Sequence, residues 1–352
     1  MLSALFLAAA PLSKADPPHP WLADGWLSAL AGGARRALEA AVDVPLPGAP
    51  LKHAQLQLPL LCSQLADLAY EETAAAVEAA LARLAGGSLT LLQFHGQRLL
   101  RDEVWYKEPA AAQWLVARAA DGTLFVVFRG TSSLPDILHD LQTMPCDGFH
   151  RGFLRMAERC TPLHELLRQQ LKHTDHLVLV GHSLGGALAL TLLGAGLVPP
   201  SAARITVMTY GSPAPFHRTC PSALRGAKVR RCRVRSFVYG ADVVPRLLGS
   251  DISLLAKTLE RFSDEQTAQQ RSAMLKTLSE YVHADHDDAR LVFINPNTGD
   301  ARVVPRRLIQ RLLHIHQAVS SNAVMHHSEY TRGLQRAIRR AAAREGKDVD
   351  LL

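Results

Sequence analysis

A short glycine-rich turn joins an apolar strand to an apolar helix near the middle of this chain. Residues 181–186 read Gly-His-Ser-Leu-Gly-Gly, with the apolar run 177–180 before them and residues 187–193 continuing as a candidate buried helix. A G-x-S-x-G sequence in this context is typical of a nucleophile elbow, whose tight turn lifts a serine hydroxyl off the end of a sheet. The pattern predicts Ser183 as a nucleophile at a helix N-terminus; the alternative is an ordinary turn in which Ser183 caps the helix.

The length and composition indicate a globular chain with a sizeable core. The chain has 352 residues, of which 48% are hydrophobic and 20% charged, which suits one large domain or two modest ones. The net charge is +7, and basic residues cluster at 225–235 and 332–347. These clusters indicate either attraction to an anionic lipid surface, and so peripheral membrane association, or solvated faces of a strand and a helix. No nucleic-acid partner is expected, because no binding motif or interleaved aromatic residues accompany the charge.

The cysteines and the N-terminus bear on the compartment. The five cysteines are Cys62, Cys146, Cys160, Cys220 and Cys232. Their odd number, irregular spacing and lack of a C-x-x-C pair argue against a disulfide framework or a zinc site and favour a reducing, intracellular compartment, cytoplasmic or organellar. The apolar run at residues 2–12 leaves a signal or transit peptide open, although no Lys or Arg precedes it, and the run is too short to span a bilayer.

The chain divides into an extension and one α/β domain. Residues 1–55 are rich in Ala, Pro and Gly and predict a poorly structured extension or a targeting segment. Residues 56–345 alternate apolar strands with helices, which predicts a mostly parallel central sheet with helices on both faces. The predicted strands are 123–128, 177–180, 205–210, 234–239, 291–294 and 302–304; the predicted helices are 60–84, 153–171, 184–197 and 330–344, and a helical insertion covers 251–289.

A serine nucleophile needs a base and an acid, and in a fold built on this elbow both follow the serine in the chain. Asp242 comes just past the predicted strand 234–239, where a carboxylate points into the crevice of such folds, although a turn or capping role is the alternative. Six histidines follow Asp242, namely His283, His286, His314, His316, His326 and His327.

The sequence context of these six histidines leaves two of them as candidates for the base. The acidic run 283–288 lacks a recognised metal-ligand spacing and indicates a solvated loop, so no metal is expected. His314 and His316 lie in an apolar-patterned stretch and are interpreted as packing residues. His326 and His327 precede the last helix, where the base belongs, and order along the chain does not choose between them.

An oxyanion hole requires two backbone N–H donors. The residue after the nucleophile, Leu184, supplies one, and a loop after an earlier strand supplies the other. The segment 128–133 suits that loop, since Gly130 permits a bend and the Thr131 hydroxyl adds a donor; a plain turn is the alternative.

Several separated motifs together resemble the class 3 lipases, the fungal-type triacylglycerol lipase family with the α/β-hydrolase fold. The motifs lie at residues 65–70, 127–131, 150–153, 181–186, 210–213, 242–247 and 327–330. The resemblance implies Ser183 as nucleophile, Asp242 as acid, and Thr131 and Leu184 as oxyanion donors. It favours His327 over His326, because an aromatic residue follows the family's catalytic histidine about three positions on, as Tyr330 follows His327. It also suggests a lid, either within residues 134–148 or in the 251–289 insertion.

The resemblance implies two-step acyl transfer on a lipid ester at a membrane or droplet surface, without cofactor or metal. Acylglycerol lipase, phospholipase A1 and small-ester carboxylesterase share such a site, and the sequence leaves all three open. A hypothesis of another class is a non-catalytic lipase-like protein that binds lipid. The oligomeric state is left open as well.

Overall fold

The structure is a computed structural model, and it describes residues 47–96, 112–130, 145–218, 232–240, 242, 244–247, 280–282, 289–305 and 327–348. Several predictions concern residues outside this set. They are the extension up to residue 46, Thr131, the lid candidate 134–144, Cys220, the insertion apart from residues 280–282 and 289, the acidic run 283–288, His314, His316 and His326.

The described part of the chain contains seven α-helices and twelve strands. The helices are α1 (His53–Leu68), α2 (Ala74–Arg83), α3 (Arg151–Glu158), α4 (Thr161–Gln170), α5 (Leu184–Gly194), the single turn α6 (Val244–Leu247) and α7 (Tyr330–Glu345). The strands are β1 (Leu89–His95), β2 (Trp114–Ala119), β3 (Leu124–Phe128), β4 (Pro145–Cys146), β5 (Phe149–His150), β6 (His176–His182), β7 (Arg204–Tyr210), β8 (Phe216–His217), β9 (Cys232–Tyr239), β10 (Tyr281–Val282), β11 (Ala289–Ile294) and β12 (Ala301–Val304).

Eight of these strands form the central sheet, in the order β1-β2-β3-β6-β7-β9-β11-β12. The five strands β3, β6, β7, β9 and β11 run parallel, whereas β2 pairs antiparallel with β1 and β3, and β12 pairs antiparallel with β11. The prediction of a mostly parallel α/β sheet is confirmed.

Helices cover both faces of this sheet, and alternate residues of each central strand point to opposite faces. Val126 of β3 and Leu179 of β6 pack in one core with α3, α4 and α5. Val127 and Val180 pack in the other core with α1 and α7. Because both faces are covered, these strands appear in the sequence as continuous apolar runs, and each fully buried Val or Leu contributes about 1.5–3 kcal/mol.

Two predicted helices are each divided in the structure. In place of one helix over 60–84, α1 begins at His53 and α2 at Ala74. Pro59 lies inside α1 rather than at its start, and its carbonyl accepts a hydrogen bond from the Tyr210 hydroxyl at 2.6 Å, so packing on the sheet overrides the proline's helix-breaking tendency. In place of one helix over 153–171, α3 ends at Glu158 and α4 starts at Thr161 with Pro162 in its first turn.

Strands that are not apolar runs were not predicted from the sequence. β1 is largely half-exposed and β2 becomes half-exposed toward its end, as befits strands near the sheet edge. A second, small sheet has the order β10-β8-β5-β4. Tyr281, which was assigned to the helical insertion, instead lies in β10, where its ring packs against His150 and His217. The spacing of Tyr281 from Leu278 in the sequence suits a helix, but Tyr281 pairs with His217 of β8, and this pairing determines its extended conformation.

Further observations on the described residues concern the predicted N-terminal extension, the cysteine thiols and membrane association. Leu51 N–H donates to the Ala301 carbonyl at 2.7 Å, so the end of the predicted extension pairs with β12. Cys62, Cys146, Cys160 and Cys232 are free thiols. None of the described helices combines the length and apolarity that crossing a membrane requires. The basic residues of 332–347 lie on the exposed side of α7, and association with anionic lipid stays a prediction.

Candidate active site

Ser183 lies at the junction of β6 and α5, at the edge of the sheet where the parallel strands end. Its backbone has φ +56° and ψ −127°, which non-glycine residues rarely adopt, and its N–H donates to the Tyr210 carbonyl at 2.8 Å. Such a conformation costs about 1–3 kcal/mol and persists only where surrounding packing enforces it. The strained turn predicted from the sequence is therefore present in the structure.

Glycines allow the close packing that enforces this turn. A Cβ on Gly181 would fall on the backbone of Gly185, and a Cβ on Gly185 would fall on the carbonyl of Phe128. The helix N-terminus is thereby held against both its own strand and the end of β3, so the G-x-S-x-G glycines serve close approach of backbones.

Asp242 and His327 form a hydrogen-bonded pair beside this elbow, although 85 positions separate them in the chain. His327 Nδ1 lies 3.0 Å from Asp242 Oδ2 and 3.1 Å from Oδ1. Asp242 is fully buried and follows β9, while His327 is mostly buried just before α7. Since a carboxylate only accepts, the Nδ1–H donates, which leaves Nε2 of the neutral ring as an acceptor.

Two further donors hold the Asp242 carboxylate. The Tyr330 hydroxyl donates to Oδ2 at 2.5 Å, and Val244 N–H donates to Oδ1 at 2.9 Å. Burial alone would raise the pKa of Asp242, but the charge and hydrogen bond of His327, with the bonds from Tyr330 and Val244, hold the pKa below its ordinary value. The carboxyl is therefore an anion at neutral pH.

The reactive atoms of the predicted nucleophile and base form no hydrogen bonds within the described residues. Within the described residues, Ser183 Oγ and His327 Nε2 are buried without a hydrogen-bond partner, so they do not bond each other. In sites of this kind that bond often tightens only with substrate. A hydroxyl beside an acceptor nitrogen oriented by a buried carboxylate can be activated as a nucleophile.

The predicted oxyanion donors can be placed only in part. Leu184 is the first residue of α5, so its N–H has no carbonyl one turn earlier. Thr131 lies outside the described residues, but a Cβ on its neighbour Gly130 would lie 3.0 Å from Ser183 Cβ. The end of β3 therefore lies against the nucleophile, and the donor roles of Thr131 and Leu184 stay predictions.

Several residues that organise this site were not predicted from the sequence. The Tyr70 hydroxyl lies 2.9 Å from His182 Nδ1, and His182 Nε2 lies 2.6 Å from the His327 carbonyl oxygen. Tyr70, His182 and Tyr330 all fall within the motifs that carry the family resemblance, yet nothing in those motifs indicated these contacts. No group of three or more His, Cys, Asp or Glu side chains in the described ranges is arranged to hold a metal ion.

Gly211, after β7, offers a test of how tightly the pair is packed. Its φ is +60°, and an added Cβ would lie 2.5 Å from Asp242 Oδ2 and 2.9 Å from His327 Nδ1. We expect Gly211→Ala to lower kcat/KM by about 10²-fold or more, since displacing a reacting group by 1 Å can cost that much. Steady-state kinetics on a soluble ester measure this loss.

The matched control is Gly196→Ala, where φ is +70° and no atom lies within 4 Å of the added Cβ. That variant carries backbone strain without a contact at the site, so it should lose some stability and keep its rate. Equal rates for the two variants would contradict the packing argument.

The chain is similar to a known protein family and to solved structures of lipases. Residues 125–251 match the family model described as Lipase (class 3). The crystal structure of Lip2 lipase from Yarrowia lipolytica is similar at 15% identity, covering 82% of this chain and 96% of that chain with a TM-score of 0.53. Lipase II from Rhizopus niveus shares 18% identity over 72% of this chain and 86% of that chain, with a TM-score of 0.48. A search of curated proteins found no match.

Proposed function

Since the chain belongs to the class 3 lipase family, which its residues 125–251 match, we propose that it is a serine hydrolase of carboxylic esters of lipids. The observation that carries the proposal is the buried Asp242–His327 pair beside the strained elbow of Ser183. An ordinary helix cap would not require a nucleophile-elbow conformation, nor a buried carboxylate dedicated to one imidazole.

In the proposed first step, His327 Nε2 takes the Ser183 proton as Oγ attacks the ester carbonyl. Asp242 keeps the Nδ1–H tautomer and stabilises the imidazolium that forms. The N–H groups of Leu184 and Thr131 hold the negative oxygen of the tetrahedral intermediate. The carbon–oxygen bond to the alcohol then breaks, and His327 returns the proton to the leaving alcohol.

In the second step, water attacks the acyl-enzyme. His327 accepts a proton from the water and gives it back to Ser183 Oγ as the fatty acid leaves. Every proton transfer in this scheme uses one nitrogen of His327, so the chemistry needs no cofactor or metal.

The substrate proposed is an acylglycerol at a membrane or droplet surface. The family supports a lipid ester, and phospholipase A1 or small-ester carboxylesterase activity would use the same catalytic groups. A lipid-binding protein without catalysis is the alternative of another class; against it stand the open nitrogen of His327 and the strain kept at Ser183.

Labelling with a fluorophosphonate tests the catalytic proposal. We expect one adduct per chain, on Ser183 when peptides are sequenced by mass spectrometry, with hydrolysis of a p-nitrophenyl ester lost in step. Heat-denatured protein, in which the elbow no longer exists, is the control and should not react. Failure of the native chain to react, with and without detergent or lipid, would favour the binding-protein alternative.

A series of esters then tests the substrate class. Emulsified triacylglycerols, phosphatidylcholine vesicles and soluble short-chain esters should be compared at equal enzyme concentration. We expect emulsified acylglycerols to turn over fastest. Turnover of soluble short-chain esters alone would overturn the lipid assignment while leaving the serine hydrolase intact.

A further inference from the structure

A continuous chain of hydrogen bonds connects Tyr70, His182 and the main chain of His327. Tyr70 follows the C-terminal end of α1, and His182 is the last residue of β6, directly before the nucleophile. The contacts are 2.9 Å and 2.6 Å long and join residues that lie 112 and 145 positions apart. Only the tertiary fold brings these groups together.

The chemistry of the partners fixes the direction of each bond. The His327 carbonyl can only accept, so His182 Nε2 carries a proton. Burial, together with the nearby His327 ring, lowers the pKa of His182 to about 3, against the opposing influence of the His327 carbonyl and Asp242. His182 is therefore neutral at neutral pH, so its Nδ1 has a lone pair that accepts from the Tyr70 hydroxyl.

Tyr70 is itself anchored to the segment that leads into the predicted oxyanion loop. Burial raises the pKa of its hydroxyl, although the Arg129 charge and a hydrogen bond from Gly130 N–H act in the opposite direction. The Arg129 guanidinium lies 5.3 Å from the Tyr70 ring centroid, and it also donates to Gln113 Oε1 at 2.5 Å. Tyr70 is thus a protonated, firmly placed donor.

We propose that His182 and Tyr70 are positioning residues that hold the main chain of His327 in register with Ser183. The inference rests on the proposed function, since it concerns the base of that reaction. Asp242 holds the ring of His327, whereas His182 holds its carbonyl, so the base is fixed at both ends. Because His182 is the last residue of β6 and directly precedes Ser183, the same bond links the base to the strand that leads into the nucleophile.

The neutral state of His182 has a role of its own. The His182 and His327 ring centroids are 4.5 Å apart. When His327 becomes an imidazolium during acyl transfer, a charged neighbour at this distance would oppose the change. A neutral donor supplies the hydrogen bond without that repulsion, which an arginine or lysine at position 182 could not do.

Two amide substitutions at position 182 test the two hydrogen bonds of His182 separately. A glutamine amide reaches the position of the imidazole Nε2, and an asparagine amide reaches that of Nδ1. His182→Gln keeps a donor for the His327 carbonyl, whereas His182→Asn keeps only an acceptor for Tyr70. We expect His182→Asn to lower kcat by about 10–100-fold with little change in KM, and His182→Gln to stay within about threefold of wild type.

The control is His176→Asn, at the other end of β6. His176 hydrogen-bonds Thr206 Oγ1 at 2.9 Å and makes no contact with the site, so its loss should leave kcat unchanged. Rates are divided by the fraction of sites that a fluorophosphonate titrates, which removes any contribution from misfolded protein.

Nitrogen-15 NMR of the wild type supplies a readout that does not depend on turnover. We expect a protonated Nε2 and an unprotonated Nδ1 for His182 at pH 7, and a change at Nδ1 in Tyr70→Phe. The opposite tautomer, or equal kcat for His182→Asn and wild type, would overturn the positioning proposal alone. A wild type that shows this tautomer but hydrolyses no ester would instead overturn the proposed function.

Discussion

Ser183→Ala is expected to abolish ester hydrolysis while leaving the protein at least as stable as wild type. The hydroxyl is the proposed nucleophile, and its removal leaves only the transition-state contacts of the oxyanion donors. In serine hydrolases such a loss amounts to about 10⁶-fold in kcat. Stability should not suffer, because Ser183 Oγ is buried without a hydrogen-bond partner in the described part of the chain and its removal breaks no bond.

Ser183→Gly extends the same argument to the backbone. Glycine adopts φ +56° without the Cβ clash, so this variant should unfold at a higher temperature than Ser183→Ala. Thermal unfolding and initial rates on one ester measure both effects.

Ser63→Ala is the matched control for the nucleophile variants. Its buried Oγ donates to the Leu60 carbonyl at 2.9 Å. That variant should lose about 0.5–1.5 kcal/mol of unfolding free energy and keep its activity. More than a hundredth of the wild-type rate in Ser183→Ala would contradict the assignment of the nucleophile.

Asp242→Asn should lower kcat by roughly 10⁴-fold, as expected when the acid of a triad is neutralised. Three donors converge on the carboxylate, from His327, Tyr330 and Val244. An amide offers one oxygen and one NH₂ group, so it cannot accept on both sides. With its NH₂ toward His327, the ring would have to accept at Nδ1 and carry its proton on Nε2, the tautomer that cannot take a proton from Ser183.

Asp67→Asn is the matched control for this charge change. Asp67 accepts at 2.7 Å from the hydroxyl of Thr331, the residue after Tyr330, and its side chain is exposed rather than paired with the catalytic histidine proposed here. Its substitution should leave kcat within a few-fold of wild type. A comparable loss in the two variants would show that general electrostatics, rather than the tautomer, explains the effect.

The dependence of stability on pH, on the acid side of neutrality, provides a second measurement on Asp242→Asn. The folded-state pKa of Asp242 lies below its ordinary value, so the ionised group stabilises the fold above the unfolded pKa. That contribution is lost as the pH falls through the folded pKa, below about 4. The stability difference between wild type and Asp242→Asn should therefore shrink as the pH is lowered through this range, and thermal unfolding at pH 7 and pH 3 tests it.

The parts of the fold that are locally encoded were predicted from the sequence. β3, β6, β7 and β9 are buried on both faces, so their continuous apolar runs identify them without knowledge of their neighbours. The edge strand β1 carries no such run, and the two-residue strands of the small sheet are defined by their partners. The predicted start of the first helix at residue 60 was too late, because Pro59 lies inside α1, where its carbonyl accepts a hydrogen bond from Tyr210 of the sheet.

The elbow at Ser183 was predictable from the sequence alone, because the strand, the glycines and the helix that create it are adjacent in the chain and their effects are local. The sequence also indicated a residue after β9 as the candidate acid and the residues before α7 as candidates for the base. Which groups meet there depends on the tertiary fold: Asp242 bonds His327, the Tyr330 hydroxyl donates to that carboxylate, and His182 donates to the His327 carbonyl. These contacts join residues 85 to 145 positions apart, and no local preference specifies them. The order of the strands in the sheet and the packing of α7 against one of its faces bring these groups within hydrogen-bonding distance.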